Sequence, residues 1–353
     1  MLVLLLHTKK GDANGDDTVN SSDVLVLNSF LKGKAGSNGA TAERLDVNLD
    51  GVIDANDVTL LKNINLGLVS SSTVTSTNTT ALTSQESRKY YKYNAQKGTY
   101  TSSYTLSPVS NISTSSTVST RSIIGNDNRE IDNSLIGVVR FHYKDENYGF
   151  TGFVIDDHTI LTAAHCLSPT SIGATPASSY DIRFYNEDGT AISSITATPV
   201  EYHIPYQYIL KHSSADESDY SVEYYDYALV TVKEDLSDYI CFNLGVARNN
   251  IKTSNPSTYV TGFSNTVYSK AELRGKKSTA VGTIQTLANY NIYYNTDTTG
   301  GDSGAPVYLI KDGVKTVIGI HTYGVDDHSN FNHCTRITTD ILHFVYNNNN
   351  LSY

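Results

Sequence analysis

The 353-residue chain has no tryptophan, one methionine and only three cysteines. Three cysteines cannot build a disulfide scaffold, and an odd number leaves at least one thiol unpaired within the monomer. No stretch approaches the roughly 20 apolar residues that cross a bilayer as a helix. The apolar opening, Met1 to Leu6, is followed rather than preceded by Lys9 and Lys10, which makes it at most the trimmed end of a signal peptide. Basic residues are outnumbered, 26 Lys and Arg to 36 Asp and Glu, for a net charge of −10. That balance argues against nucleic-acid binding, which relies on basic surface to release counterions.

The length allows two domains, and a hydrophobic fraction of 39% allows a substantial core. Twenty-six tyrosines, with abundant Ser, Thr and Asn, suit a β-rich extracellular surface better than a helical bundle.

Three segments carry chemistry. In chain order they are Thr162-Ala163-Ala164-His165-Cys166, Tyr225-Asp226-Tyr227-Ala228-Leu229 and Gly301-Asp302-Ser303-Gly304-Ala305-Pro306. A serine hydroxyl is a poor nucleophile at neutral pH; acyl transfer needs an imidazole to take its proton and a carboxylate to fix the imidazole tautomer. Ser303 is the candidate nucleophile, His165 the general base and then acid, and Asp226 the orienting carboxylate. The glycines flanking Ser303 keep side chains out of a loop whose backbone N–H groups, those of Gly301 and Ser303, form the expected oxyanion hole. Singly, a buried histidine or a Gly-Asp-Ser-Gly turn is ordinary; jointly and in this order they are not.

The N-terminal region repeats itself. Asp12, Asn14, Asp16, Thr18, Asn20 and Asp23 recur 34 residues later as Asp46, Asn48, Asp50, Val52, Asp54 and Asp57. Oxygen ligands at loop positions 1, 3, 5, 9 and 12, with a backbone carbonyl at 7, are the EF-hand solution for a hard cation, so two calcium ions are expected. Each loop ends in Asp rather than Glu, and the first carries Asp17 where the sharp turn favours glycine. Apolar residues Val24, Leu27, Leu31 and Val58, Leu61, Ile64 follow at helical spacing, with Gly33 and Gly67 as stops. From Gly11 to Gly67, nine acidic residues face four basic ones, so this segment is expected to fold poorly without calcium.

From Ser70 to Ser87, 12 of 18 residues are Ser or Thr, too polar to offset ordering entropy. A linker, and a possible propeptide, is expected over 68–121. Beyond Ile123 the texture becomes β-type, as in Ile136 to Tyr143 and Tyr148 to Ile155, with a terminal helix over Asp340 to Tyr346.

The order His, Asp, Ser and the residues around each resemble the chymotrypsin clan of serine proteases. Within that clan, 122–353 resembles the bacterial glutamyl endopeptidases, through Ser122-Ile-Ile-Gly-Asn-Asp-Asn-Arg129, Tyr225-Asp226-Tyr227-Ala228, Asp297-Thr298-Thr299-Gly300-Gly301-Asp302-Ser303, and Gly319-Ile320-His321-Thr322-Tyr323-Gly324 followed by Thr335-Arg336-Ile337-Thr338. The duplicated segment 11–67 resembles a dockerin, in which Asp at loop position 12 is usual. The expected fold is therefore a mainly β, chymotrypsin-like double antiparallel β-barrel preceded by a small α-helical, EF-hand-like dockerin.

The resemblance implies a secreted serine endopeptidase cutting after Glu and less readily after Asp, with no cofactor for catalysis. Thr298 and His321 fall where the family binds the substrate carboxylate. The family's mature chain begins at a serine matching Ser122, whose new α-amino group lies near that pocket. Cleavage after Arg121 is thus expected to activate a zymogen and free it from the dockerin. The dockerin implies docking to a cohesin module of a cell-surface or cellulosome-type scaffold, with Ser21, Ser22, Ala55 and Asn56 at the cohesin-facing positions. Many animal relatives pair the cysteine after the catalytic histidine; here Thr151 stands where its partner would be, so Cys166 is expected to be a buried thiol. Pairing of Cys241 with Cys334 is left open. Asp297, six positions before Ser303, is where trypsin-like enzymes select Arg or Lys, and that specificity is the alternative. Further alternatives are a non-catalytic cohesin-binding module with a protease-like peptide-recognition domain, and a calcium-dependent adhesion component.

Overall fold

The computed structural model describes residues 7–33, 42–69, 73–75, 90–94, 99–102, 123–143, 149–167, 180–208, 220–265, 270–325 and 329–348. Two antiparallel β-systems carry the C-terminal two thirds. In the first, the strands run in the spatial order Ala191–Ala197, Tyr180–Tyr185, Val138–Tyr143, Gly149–Asp156, Thr159–Thr162, Ala228–Val232 and Pro199–Pro205. Tyr180–Tyr185 alternates buried and outward residues, the period-2 pattern of a half-buried strand, whereas all of Ala228–Val232 is buried. In the second, Val314–Tyr323, Pro306–Lys311, Ser257–Phe263, Lys277–Leu287, Asn291–Tyr294 and Asn332–Arg336 follow one another. The last pairs back onto the first, through Gly319 with Arg336 and His321 with Cys334, and closes the barrel. Closure removes the free edges an open sheet would expose. The terminal helix runs Thr339–Asn348.

The expected linker, 68–121, is not linker throughout. Strands Tyr90–Asn94 and Thr99–Ser102 form a hairpin that extends the first sheet, Tyr90–Asn94 pairing with Pro199–Pro205 from Tyr90 opposite Pro205 to Asn94 opposite Glu201. Tyrosine-rich alternation suits a sheet edge, and it lies within a stretch whose average composition reads as linker.

The N-terminal segment folds as two loop-helix repeats. Ser21–Leu31 and Ala55–Asn65 are each closed at the N-terminus by a capping box. The Asn20 side chain accepts from the Ser22 amide at 2.7 Å while Asp23 accepts from the Asn20 amide at 2.8 Å; Asp54 and Asp57 repeat the pattern at the same distances. These reciprocal bonds satisfy amides that have no partner within the helix. Leu27 and Leu61 are fully buried, as expected, and Phe30 joins them.

Candidate active site

Each site residue sits at the end of a strand or on a turn that tertiary contacts fix. His165 follows Thr159–Thr162 on one short helical turn, Ala164–Leu167. Asp226 follows the tight turn Tyr220–Tyr225, which is held by the Thr335 hydroxyl donating to the Glu223 carbonyl at 2.8 Å. The Asp226 carboxylate is wholly buried and grips His165 twice, accepting from its backbone amide at 2.8 Å and lying 2.7 Å from Nδ1. Nδ1 is thus engaged by Asp226, and the imidazole keeps 31% of its surface exposed. Burial works to lower its pKa, but the adjacent Asp226 carboxylate prevails and holds it well above the ordinary value of 6.5.

The Ser303 loop is tied to the first barrel by Thr151. The Thr151 amide donates to the Ser303 carbonyl at 2.9 Å, its hydroxyl donates to the Gly301 carbonyl at 2.8 Å, and its Oγ1 accepts from the Phe263 amide at 3.0 Å. Thus the residue standing where a disulfide half would be instead joins the two barrels through hydrogen bonds. Cys166 is a buried thiol outside any disulfide, as expected, and Cys241 and Cys334 form no disulfide either. Gly301 and Gly304 adopt φ of 103° and 85°, the region that L side chains avoid. A Cβ on Gly304 would meet the Thr151 carbonyl, the Thr162 hydroxyl and the Ala163 amide, so this glycine brings the Ser303 loop against the chain leading to His165. Among the described residues the amides of Gly301 and Ser303 have no internal acceptor, which leaves both N–H groups available to an oxyanion.

Beside this loop lie Thr298 and His321. The Thr298 hydroxyl is fully buried and, among the described residues, has no hydrogen-bond partner. His321 is held by its backbone, its amide donating to the Ala305 carbonyl at 2.9 Å and its carbonyl accepting from the Gly304 amide at 2.8 Å. Its Nδ1 lies 2.6 Å from the Tyr294 hydroxyl. Burial, reinforced by the charges of His333 and His165, pushes the imidazole down to about 3. Ser122 lies outside the described residues.

Asp297 does not face a pocket as a free carboxylate. Oδ1 accepts from the Ile124 amide at 2.7 Å and Oδ2 from the Asn128 amide at 2.9 Å, so both oxygens seat the start of the catalytic region. The roles of Arg129, Thr151 and Tyr294 are not legible in the sequence. Arg129 is almost fully buried, chelates Asp127 through Nε and Nη2, and reaches Ser264 and Thr299 at 2.7 and 2.8 Å through Nη1. Burial raises Asp302 to about 6, with Arg129 opposing the shift. The one signal in the sequence is the arginine that closes the Ser122–Arg129 segment.

The two acidic loops are built alike. Asp12 and Asp46 each accept amides from across their own loop, and Asp23 and Asp57 accept the amides of Asn14 and Asn48 at 3.0 Å. Asp12, Asp23, Asp46, Asp54 and Asp57 are buried. Burial raises Asp46 and Asp54 and pushes Asp57 up to about 8. So many buried carboxylates are unfavourable without a compensating cation, and the all-oxygen donor set suits calcium. The holding residues would be Asp12, Asn14, Asp16, Thr18, Asn20 and Asp23 in the first loop and Asp46, Asn48, Asp50, Val52, Asp54 and Asp57 in the second, with Thr18 and Val52 giving carbonyls. Asp17 adopts φ 64° and its counterpart Gly51 φ 90°; the aspartate makes the same turn at a steric cost. Ser21 and Ser22 are exposed, Ala55 and Asn56 half-buried.

The trypsin family model matches residues 123–345 and the dockerin type I domain model residues 10–64. The chain belongs to the trypsin family and carries a dockerin. Among curated relatives it is 26% identical over 226 residues, 61% of either protein, to an extracellular metalloprotease of Bacillus subtilis, and 25% identical over 232 residues to a glutamyl endopeptidase of Bacillus licheniformis, there covering 64% of this chain and 68% of the relative. The chain thus spans about three fifths of the length of the first of these. A solved structure of a Glu endopeptidase in complex with MPD is 18% identical with a TM-score of 0.48, over 63% of this chain and 97% of that one.

Proposed function

We propose that the chain is a secreted serine endopeptidase that cuts after Glu, less readily after Asp, and is held by its dockerin on a cohesin-bearing, cellulosome-type scaffold. Ser303 Oγ attacks the scissile carbonyl and passes its proton to Nε2 of His165. Asp226 holds Nδ1–H and stabilises the imidazolium that forms. The amides of Gly301 and Ser303 receive the oxyanion. His165 then protonates the leaving amine, and a water resolves the acyl-enzyme by the same route in reverse. The catalytic region is assigned to 122–353, the dockerin with two calcium ions to 11–67.

The observations that carry the specificity are the buried Thr298 hydroxyl, unpartnered among the described residues, and a buried histidine, His321, whose Nδ1 is already engaged. A hydroxyl and a ring N–H at one site are donors for a carboxylate that would otherwise be desolvated unpaired. The two backbone bonds on Asp297 weigh against the Arg/Lys alternative, since a carboxylate saturated by amides is a poor partner for a substrate cation. The intact Asp226–His165 pair weighs against a non-catalytic module. Fluorogenic peptides differing only in Glu, Asp, Lys or Arg before the scissile bond test this: fastest turnover of Glu supports it, and a Lys or Arg preference refutes it. Ser303→Ala should abolish turnover without unfolding, and adding His165→Ala should cost little more, because triad members act as a unit.

A further inference from the structure

The second acidic loop is bonded to the protease domain; among the described residues the first loop is not, and the first repeat bonds to that domain beyond its helix, where His343 Nδ1 lies 2.7 Å from the Gly33 carbonyl. Val52 and Ile53 pair antiparallel with Ala247 and Val246, and the Arg248 amide donates to the Gly51 carbonyl at 2.6 Å. A Cβ on Gly51 would lie 2.9 Å from Ile251 Cα, so this surface is closely packed. Three side chains of the protease domain then reach the loop carboxylates. Arg248 Nη1 lies 2.6 Å from Asp46 Oδ2, Lys311 Nζ 2.8 Å from Asp50 Oδ2, and the Thr316 hydroxyl donates to Asp54 Oδ2 at 2.6 Å. These aspartates hold positions 1, 5 and 9 of the loop. Their counterparts Asp12 and Asp16 accept, among the described residues, only from their own loop.

From this asymmetry we propose that calcium in the second loop and docking of the protease domain on that loop are antagonistic. The inference rests on reading the loop as a calcium site. Arg248 and Lys311 supply two positive charges to the oxygens that calcium requires, and a divalent cation placed among them meets a guanidinium and an ammonium at close range. Repulsion of that kind weakens binding by roughly tenfold or more even at near-aqueous screening. Linkage makes the effect reciprocal: calcium loosens the docked arrangement by the same factor that docking weakens calcium. At low calcium the two cations neutralise the loop and the chain is closed on itself. At high calcium the second repeat is released, together with Ala55 and Asn56, which the docked form leaves half-buried.

Calcium titration by calorimetry of the full chain, in a Ser303→Ala background to prevent self-digestion, tests the proposal. The comparison is with Arg248→Gln/Lys311→Gln and with Lys311→Gln alone, whose side chain is 43% exposed and whose loss does not threaten folding. The unsubstituted chain should show one tighter and one weaker site. The weaker should tighten roughly tenfold in the double variant and less in the single one, with the tighter site unchanged. Small-angle scattering of the unsubstituted chain should show expansion on adding calcium. Two sites unaffected by either variant, or compaction on adding calcium, would overturn the antagonism alone. Absence of any calcium binding would overturn the calcium reading with it.

Discussion

The Tyr294 hydroxyl lies 2.6 Å from Nδ1 of His321, both groups buried within the second barrel. Because burial keeps His321 neutral, a hydroxyl donating to Nδ1 fixes the tautomer with the proton on Nε2, the form that the proposed carboxylate pocket requires. Tyr294→Phe removes that control. The expected result is a rise in KM for Glu substrates of roughly tenfold, the size of one hydrogen bond to a charged group, with kcat far less changed. A fall in kcat alone would place the tyrosine in the chemistry instead of specificity.

The pH dependence follows from Asp226. Catalysis requires neutral His165, whose pKa is raised, so kcat/KM should fall as pH drops through a value above 6.5. The same shift stabilises the fold, with the contribution fully present below about 6.5 and lost as pH rises through the raised value. In Asp226→Asn the carboxylate is gone, and activity should fall about 10⁴-fold, as when this type of triad loses its tautomer control. An acid limb at or below 6.5 in the unsubstituted protein would contradict the Asp226 effect.

Thr151 offers a test of how the barrels are joined. Thr151→Val keeps the shape and removes the hydroxyl that serves Gly301 and the Phe263 amide, leaving that buried N–H unpaired at about 1–3 kcal/mol. Gly304→Ala should cost a further strain of about 1–3 kcal/mol, since its φ is 85° and its Cβ would strike backbone. Both variants should lose activity at temperatures where circular dichroism still reports native structure, because the Ser303 loop shifts before the barrels melt. Full activity in Thr151→Val would show that the hydroxyl positions nothing.

These residues mark where the sequence is legible. Motifs dense in short-range constraint, the His165, Asp226 and Ser303 segments and the two acidic loops, are readable because their chemistry dictates their neighbours. The helix faces around Leu27 and Leu61 and the terminal helix follow from periodicity. The roles of Thr151, Arg129 and Tyr294 are different: each acts across more than 25 residues of chain, on partners that only the closed barrels bring together. Asp297 shows the same limit in reverse, for a position six residues before Ser303 implies a selecting carboxylate, and only the folded chain shows the amides of Ile124 and Asn128 upon it. The paired strands Tyr90–Asn94 and Thr99–Ser102 are hidden by a composition average, and the contact of Arg248 with Asp46 by 202 residues of separation.

Processing after Arg121 supplies the last prediction. Ile124 and Asn128 are already seated on Asp297, so the cut would free a new α-amino group on Ser122 only two residues from an anchored position. A Glu-specific enzyme does not readily cut after arginine, so a second protease is expected to do so. Cleavage alone should not release the dockerin, because the strand Tyr90–Asn94 remains paired to Pro199–Pro205 and the second acidic loop remains docked through Arg248 and Lys311. Chain scission and physical separation are therefore expected to be distinct steps, the second favoured by calcium. N-terminal sequencing of active enzyme, with gel filtration of the trypsin-nicked chain in calcium and in chelator, separates them. A new terminus at Ser122, with activity on a Glu substrate rising on nicking and co-elution persisting in chelator, is the expected result. Full activity from a chain never cut near Arg121 would show that the segment is only a tether.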